Sequence, residues 1–175
     1  APDTLEIKRQ ILGQLNLKEF SEDELELIRY LTDSLDHNGF LSLTEVELCH
    51  LTGHPLDQIT RILSLLRELE PTGIFAQDLA HCLLKQLEAA ENTDACLKEI
   101  ILHYLPELGD GKISVVSRNL GISTNAVRKY MAQIAKLNPR PLACMEDSQA
   151  DYIIPDILFT FHSGQWEITI NDHWT

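Results

Sequence analysis

The chain has 175 residues, of which 44% are hydrophobic and 6% aromatic, and it carries a formal net charge of -13 at pH 7. No apolar run approaches the roughly 20 residues that a membrane span requires, so the sequence predicts no membrane partner. The acidic charge argues against non-specific nucleic-acid binding and favours a partner with basic surfaces. The start lacks a secretory signal pattern and the four cysteines are scattered, so we expect a cytoplasmic protein with free thiols.

Amphipathic helices are predicted through the first 90 residues. Ser21 followed by Glu24 has the pattern of a capping box, in which the hydroxyl and the carboxylate each satisfy a backbone amide at a helix start. Gly39 is the expected stop of that helix, because glycine enters the left-handed conformation at little cost. The other predicted helices cover residues 5–15, begin at Ser42 or Thr44, and cover residues 55–69 and 78–87.

The remainder of the chain divides into a second helical part and a β-hairpin. EAAENTD links the first part to helices over residues 94–137, which Pro139 and Pro141 are expected to end. ILFTFHSGQWEITI alternates around a His-Ser-Gly turn, as a hairpin does. A lone hairpin is marginal in water and the chain does not begin with Met, so we expect a fragment whose natural continuation follows. The predicted fold is mainly α, with small helical subdomains at residues 1–90 and 91–145 and a truncated β-hairpin in residues 146–175, where a following region starts.

A helix-turn-helix pattern occurs twice. Residues 52–73 and 120–141 align at a constant offset of 68 without a gap, so that Gly53 meets Gly121 and Pro71 meets Pro139. Both stretches have a turn glycine, a helix start, an apolar stripe and a proline stop. We therefore expect two helical units of one shape, and the pattern leaves common ancestry open.

The two units differ in charge. Residues 40–70 contain five acids and two arginines, whereas residues 111–145 contain six lysines and arginines and no acid. The second unit therefore has the positive face that phosphate binding requires, and Arg118, Arg128 and Lys129 are its candidate DNA-proximal residues. The residues alone leave DNA reading and protein contact equally open for this unit.

Residues 34–45 (SLDHNGFLSLTE) nearly fit a calcium-binding EF-hand loop. Ser34 stands where a carboxylate normally binds, so the alternative is a helix stop and turn whose Phe40 and Leu41 enter the core. No nucleophile elbow, glycine-rich phosphate cradle or zinc-finger spacing is present, so the sequence predicts no catalytic residue, cofactor or metal.

Four stretches, in order, resemble the sigma-54 (RpoN-type) bacterial transcription factors, and the resemblance covers essentially the whole chain. The opening LEIKRQILGQLNL also looks like the start of that family's core-binding region. The four stretches are LDHNGFL at 35–41, LRELEPTGIFAQDLAHCLLKQL at 66–87, IAKLNPRP at 134–141 and YIIPDI at 152–157.

The resemblance implies a non-catalytic initiation factor fragment that docks on bacterial core RNA polymerase. Promoter DNA would be a partner of the full-length factor, and an activator ATPase would act through regions absent from this chain. Within that family the two helical units would mainly grip polymerase, while the basic second unit could lie near promoter DNA. A DNA-binding helix-turn-helix regulator is the chief alternative function, and a calcium-binding protein is the third.

Proline and glycine break the helix after residue 69, which predicts an exposed contact segment; a packed turn between helices is the alternative. In this segment Phe75 and Gln77 stand where the family pattern has Gly and Arg, which removes a flexible position and a guanidinium. Leu142 stands where a Gly commonly follows the last proline of the family pattern. The candidate polymerase-contact residues are Glu70, Pro71, Thr72, Gly73, Ile74, Phe75, Gln77 and Asp78.

Overall fold

The computed structural model of the chain describes residues 4–147, 156–162 and 165–171, and this part is mainly α-helical, as predicted. No helix in it is both long and apolar enough to span a membrane. A 3-10 turn lies at Leu17–Glu19. The helices are α1 (Thr4–Leu12), α2 (Glu22–Asp33), α3 (Glu45–Thr52), α4 (Leu56–Arg67), α5 (Leu79–Ala89), α6 (Ala95–His103), α7 (Leu105–Gly109), α8 (Ile113–Leu120), α9 (Thr124–Ala135) and α10 (Pro141–Asp147).

Two strands, β1 (Asp156–His162) and β2 (Gln165–Asn171), pair antiparallel, with Asp156 opposite Asn171. Ser163 and Gly164 of the predicted turn lie outside the described residues, as do the first four residues of the YIIPDI stretch. The truncated hairpin and its place in a following region therefore stay predictions.

Capping boxes begin two of the helices. At α2, the Glu24 amide donates to Ser21 Oγ over 3.2 Å and the Ser21 amide donates to Glu24 Oε2 over 3.0 Å. At α3, Thr44 and Glu47 make the same reciprocal pair. The first capping box is confirmed. α3 begins after Thr44 rather than Ser42: Glu47 accepts the Thr44 amide, whereas Glu45, three residues after Ser42, accepts the Thr60 hydroxyl instead.

One expected helix stop was wrong. α2 ends at Asp33 and not at Gly39, and Asp36 makes a separate turn before Gly39, because its side chain accepts the amides of Asn38 and Phe40. The second helical part ends at Ala135, before Pro139, as expected. Pro141 then begins α10, where a proline is well tolerated because its missing N–H would have no helical partner.

The turn after α2 uses a side chain that calcium would need. Asp36 Oδ1 accepts the amides of Asn38 and Phe40 over 2.9 Å each, and Phe40 and Leu41 are buried. Within the described residues, no group of three or more His, Cys, Asp or Glu side chains could hold a metal ion. These contacts favour the helix stop and turn over the EF-hand.

The sequence repeat corresponds to two pairs of helices with equal lengths. We call residues 45–71, which contain α3 and α4, the first helical pair, and residues 113–139, which contain α8 and α9, the second helical pair. The offset of 68 carries the bounds of α3 and α4 onto those of α8 and α9. Gly53 and Gly121 both adopt left-handed backbone, with φ of 75° and 68°. The two pairs therefore have helices of equal length and turns of the same type, and the duplication of their whole shape stays a prediction.

Two hydrophobic clusters hold the helices together. The first buries side chains from α1 to α4 together with Ile74, Phe75 and Leu142 of α10. The second buries side chains from α5 to α9 together with Phe40 and Ala76. The clusters thus meet in the segment just before α5, whereas the predicted subdomain boundary at residue 90 lies after α5 and stays a prediction.

Two glutamine side chains clamp equivalent backbone positions. Gln14 donates to the Glu70 carbonyl over 2.6 Å and accepts the Glu70 amide over 2.8 Å. Gln86 donates to the Asn138 carbonyl over 2.6 Å and accepts the Asn138 amide over 2.7 Å. Glu70 and Asn138 are related by the offset of 68, and each precedes a proline. Each clamp therefore fixes the chain where a helical pair ends.

We predict that Gln86→Leu lowers the free energy of unfolding by about 1–2 kcal/mol, because the backbone amide and carbonyl of Asn138 both lose the hydrogen bonds that Gln86 makes to them. Urea unfolding followed by circular dichroism measures this change. Gln133→Leu, on an exposed position of α9, is the matched control and should have little effect. Equal stability of Gln86→Leu and the wild type would contradict the role of the clamp.

Candidate functional site

The predicted contact segment is partly a buried turn. Gly73, Ile74 and Phe75 are buried, so the expected exposure was wrong for them and the packed-turn alternative describes them. Gly73 has a φ of 96°, and a Cβ atom there would lie 2.5 Å from Cys82 Sγ. The remaining candidates stay available: Pro71 and Thr72 are half-buried, and Glu70, Gln77 and Asp78 are exposed.

Phe75 fixes the path of this turn. Its amide donates to the Gly39 carbonyl over 2.9 Å, and its carbonyl accepts Arg67 Nε over 3.2 Å. The Leu41 amide donates to the Ala76 carbonyl over 2.9 Å. Two of the stretches that carry the family resemblance, 35–41 and 66–87, therefore pack against each other.

Phe75 also has an unusual backbone conformation. Its φ is 63°, in the left-handed region that favours glycine. The family pattern has Gly at this position, so the departure at Phe75 retains the glycine-type backbone and adds a fully buried ring to the first cluster.

Three grooves surround the exposed residues of the turn. Gln77 lies between a groove of about 520 Å³ that extends towards the start of α3 and one of about 690 Å³ that extends to α6 and α7. Asp78 lines the second of these grooves. Glu70 and Thr72 line a third groove of about 240 Å³. The exposed candidates therefore stand at the rims of concave surfaces, where a partner's side chains can be held.

Charges of both signs line the first and third grooves. Lys85 contacts the carboxylates of Glu68 and Glu88, and the hydrogen bond that Lys85 donates to Glu68 raises the pKa of Lys85. Arg67 lines the same two grooves. The sequence analysis did not predict Arg67 and Lys85 as contact residues. The one sequence feature that could have indicated them is that both lie in the family-like stretch at 66–87.

Asp78 has a structural role as well as an exposed position. Its Oδ1 accepts the His81 amide over 2.9 Å and lies 2.7 Å from His81 Nδ1. Asp78 is therefore the N-cap of α5, and a substitution there would change the helix start as well as the surface.

Cys82 is a packing residue at the base of this site. Burial raises its pKa to about 12, which keeps the thiol protonated and unreactive at neutral pH. Its Sγ lies 3.7 Å from the Asn138 carbonyl oxygen. The expected free thiols are confirmed for Cys49, Cys82 and Cys96, while the side chain of Cys144 lies outside the described residues.

The candidate DNA-proximal residues lie on the second helical pair. Arg118, Arg128 and Lys129 are all exposed, and none of them belongs to an ion pair among residues 4–147. Arg128 makes one long contact, 3.5 Å from its Nη1 to Asn125 Oδ1. These three cations are therefore available to an anionic partner.

A tyrosine anchors α9 to the start of α6. The Tyr130 hydroxyl donates to Asp94 Oδ2 over 3.0 Å, and this hydrogen bond raises the pKa of Tyr130 to about 12. Asp94 also caps α6 through the amides of Cys96 and Leu97. The one carboxylate thus positions the helix that carries Arg128 and Lys129.

The chain matches a family model described as the sigma-54 factor, core binding domain, over residues 2–175. It belongs to the sigma-54 factor family. It is 30% identical over 172 residues to the RNA polymerase sigma-54 factor of Azotobacter vinelandii, 28% over 174 residues to that of Pseudomonas putida, and 25% over 174 residues to that of Escherichia coli K12. These matches cover 94%, 94% and 96% of this chain and 34%, 35% and 36% of the relatives, so the chain spans about a third of their length.

For this sigma-54 family chain we predict that Phe75→Ala and Phe75→Gly both lower the free energy of unfolding by about 3 kcal/mol or more, because each deletes a buried ring. Phe75→Gly should be about 1 kcal/mol more stable than Phe75→Ala, because only glycine accepts the left-handed backbone without strain. Urea unfolding of both variants measures the difference. An alanine variant as stable as the glycine variant would show that the left-handed backbone costs nothing here.

Proposed function

We propose that this chain is the core-binding part of a sigma-54-type initiation factor and docks on bacterial core RNA polymerase in the cytoplasm. The observation that carries the proposal is the match to the core binding domain model over residues 2–175. The role would be recruitment: the chain attaches to polymerase, and other parts of a full-length factor engage promoter DNA and an activator ATPase. No bond is made or broken in this role, so we infer that the chain is not an enzyme.

The grooves around the turn are our proposed polymerase contact. Glu70 and Gln77 stand exposed at their rims, while the backbone between them is held by the buried residues 73–76. A surface fixed in advance loses little conformational entropy on binding, which favours affinity. The acidic Glu70 would meet a basic polymerase surface, because complementary charge speeds encounter and selects the partner.

We expect the folded wild-type chain to bind purified core polymerase, and Glu70→Lys combined with Gln77→Ala to weaken binding on the order of tenfold. Biolayer interferometry measures the affinity, and circular dichroism checks that each protein is folded. Glu26→Lys, an equal charge change on an exposed position of α2, is the control and should bind like the wild type. Absence of binding by the folded wild type would refute the proposed function.

A second candidate function is contact with DNA by the second helical pair, which the exposed cations Arg118, Arg128 and Lys129 favour. At the positions equivalent to Arg128 and Lys129, the first pair has Thr60 and Arg61. Both of these contact carboxylates of this chain: Thr60 donates to Glu45, and Arg61 pairs with Glu24. The contrast supports phosphate contact by the second pair only, either near a promoter or as an independent DNA-binding regulator.

We predict that the triple variant with Ala at Arg118, Arg128 and Lys129 reduces the salt dependence of DNA binding. The slope of log K against log salt should fall in magnitude by about one for each phosphate that the variant no longer neutralises. Fluorescence anisotropy with a short labelled duplex, alone and with core polymerase, measures the slope. Arg29→Ala, on an exposed position of α2, is the control. An unchanged slope in both settings would exclude these residues as phosphate contacts.

A further inference from the structure

Arg140 is a half-buried cation that has no partner in the part of the chain that the structure describes. It lies between Pro139 and Pro141, which are both buried. Its Nε is shielded from solvent without a hydrogen-bond acceptor, and no ion pair there includes it. Nη1 and Nη2 make no hydrogen bond there either, and because neither is a buried atom they reach the surface. A buried donor without an acceptor costs free energy, so a partner outside this chain explains the guanidinium better than the fold does.

The backbone on both sides of Arg140 is held by hydrogen bonds. Gln86 clamps the amide and the carbonyl of Asn138, and the Arg140 amide donates to Asn138 Oδ1 over 3.0 Å. After Arg140, the Leu142 amide donates to the Asn38 carbonyl over 3.0 Å. The backbone that carries the guanidinium is therefore fixed before a partner binds, which limits the entropy lost on binding.

The equivalent position after the first helical pair has no unpaired group. The offset of 68 relates Arg140 to Thr72, and each follows a clamped residue and a proline. The Thr72 hydroxyl donates to Glu70 Oε2 over 3.2 Å, whereas Asn138, at the position of Glu70, offers Arg140 no carboxylate. The first clamp is thus followed by a short polar side chain with its own partner, and the second by a cation without one.

Arg140 lies beside the turn that precedes α5. On one side of it, the Asn138 carbonyl oxygen lies 3.7 Å from Cys82 Sγ, at the base of the candidate site. On the other side, Leu142 belongs to the same hydrophobic cluster as Ile74 of the turn. The cation therefore adjoins the grooves that we propose as the polymerase contact.

The position of Arg140 favours a protein partner over DNA. Helix-turn-helix readers contact DNA through the first part of their second helix, where Arg128 lies in α9. About 10 Å of helix separates Arg128 from the end of α9 at Ala135, and Arg140 follows beyond that end. The turn beside Arg140 also exposes Glu70 and Asp78, which repel phosphate. A single carboxylate of a protein fits better, because a guanidinium binds it through two parallel hydrogen bonds.

We propose that Arg140 binds a carboxylate of core RNA polymerase beside the grooves around residues 70–78. This inference rests on the proposed function and specifies its partner surface, which would be basic opposite Glu70 and acidic opposite Arg140. Charges of both signs at one interface fix the register of the two proteins and exclude wrong partners. Loss of the guanidinium would leave the polymerase carboxylate without its partner, so the affinity should fall strongly.

The test compares two substitutions of Arg140. Arg140→Met keeps the length of the side chain and should bind core polymerase at least about tenfold more weakly than the wild type. It should resist urea as well as the wild type or better, because it removes a buried donor that has no acceptor. Arg140→Glu should bind at least about threefold more weakly than Arg140→Met, because it places a carboxylate opposite a carboxylate. Biolayer interferometry measures the affinities.

Lys136 provides the matched controls, because it is an exposed cation just after α9. Lys136→Met and Lys136→Glu make the same charge changes as the two Arg140 variants. Each should change the affinity for polymerase by less than about threefold, since an exposed charge without a fixed partner contributes little. Losses at Lys136 equal to those at Arg140 would show a general charge effect and overturn the proposal.

The other outcomes separate this proposal from its alternatives. If the wild type binds polymerase and Arg140→Met binds equally well, the proposal fails and the proposed function stands. If Arg140→Met unfolds at a lower urea concentration than the wild type, the guanidinium supports the fold, for example as a donor to Asn38 Oδ1, which also lacks a partner, and the proposal fails.

Two further results concern the chemistry of the partner. Equal binding by Arg140→Met and Arg140→Glu would show that no carboxylate faces this position. A DNA-binding salt slope that falls by about one in Arg140→Met, with polymerase binding unchanged, would identify a phosphate contact instead. Either result overturns the proposal, and a folded wild type that does not bind polymerase refutes both it and the proposed function.

Discussion

The buried backbone of residues 73–76 is the constraint on which the rest of the structure depends. Ile74 and Phe75 belong to the first hydrophobic cluster and Ala76 to the second. One short segment therefore joins two cores, and its backbone is bonded to the turn at residues 39–41. Because it cannot move without disturbing both clusters, the exposed residues on either side of it have fixed positions. The stretch with the strongest family resemblance therefore packs both cores together, and it also contains the candidate polymerase contact.

The elements that local sequence could predict are those that local bonds determine. Capping boxes involve residues three apart, so the α2 start at Ser21 was predictable. The end of α2 was not, because the turn that follows it is made by the Asp36 side chain, which a glycine rule does not include. Burial of Phe75 depends on Gly39, which is 36 positions away in the sequence. Periodicity within a helix contains no information about such a partner.

The repeat was visible in the sequence, but the clamps that hold it were not. The offset of 68 relates Glu70 to Asn138, yet the glutamines that bind them, Gln14 and Gln86, are 72 positions apart. Each glutamine lies outside its helical pair, so aligning the pairs does not align the clamps. The same reason explains why only part of the site could be predicted. Comparing the two repeat units predicts an exposed cation at Arg128, whereas Arg67 and Lys85 become neighbours only through tertiary packing.

Two helical pairs with the same helix bounds and different surfaces bear on the conflict between an acidic chain and a helix-turn-helix sequence pattern. Net charge acts over long distances and governs encounter, but at physiological salt it is screened beyond about 8 Å. Once a protein partner holds the chain near DNA, the local charge of the surface decides the contact. The second helical pair has four cations and no acid, and the first has five acids and two arginines. An acidic protein can therefore present a basic face, provided that its attachment to the larger assembly comes from its apolar and acidic surfaces.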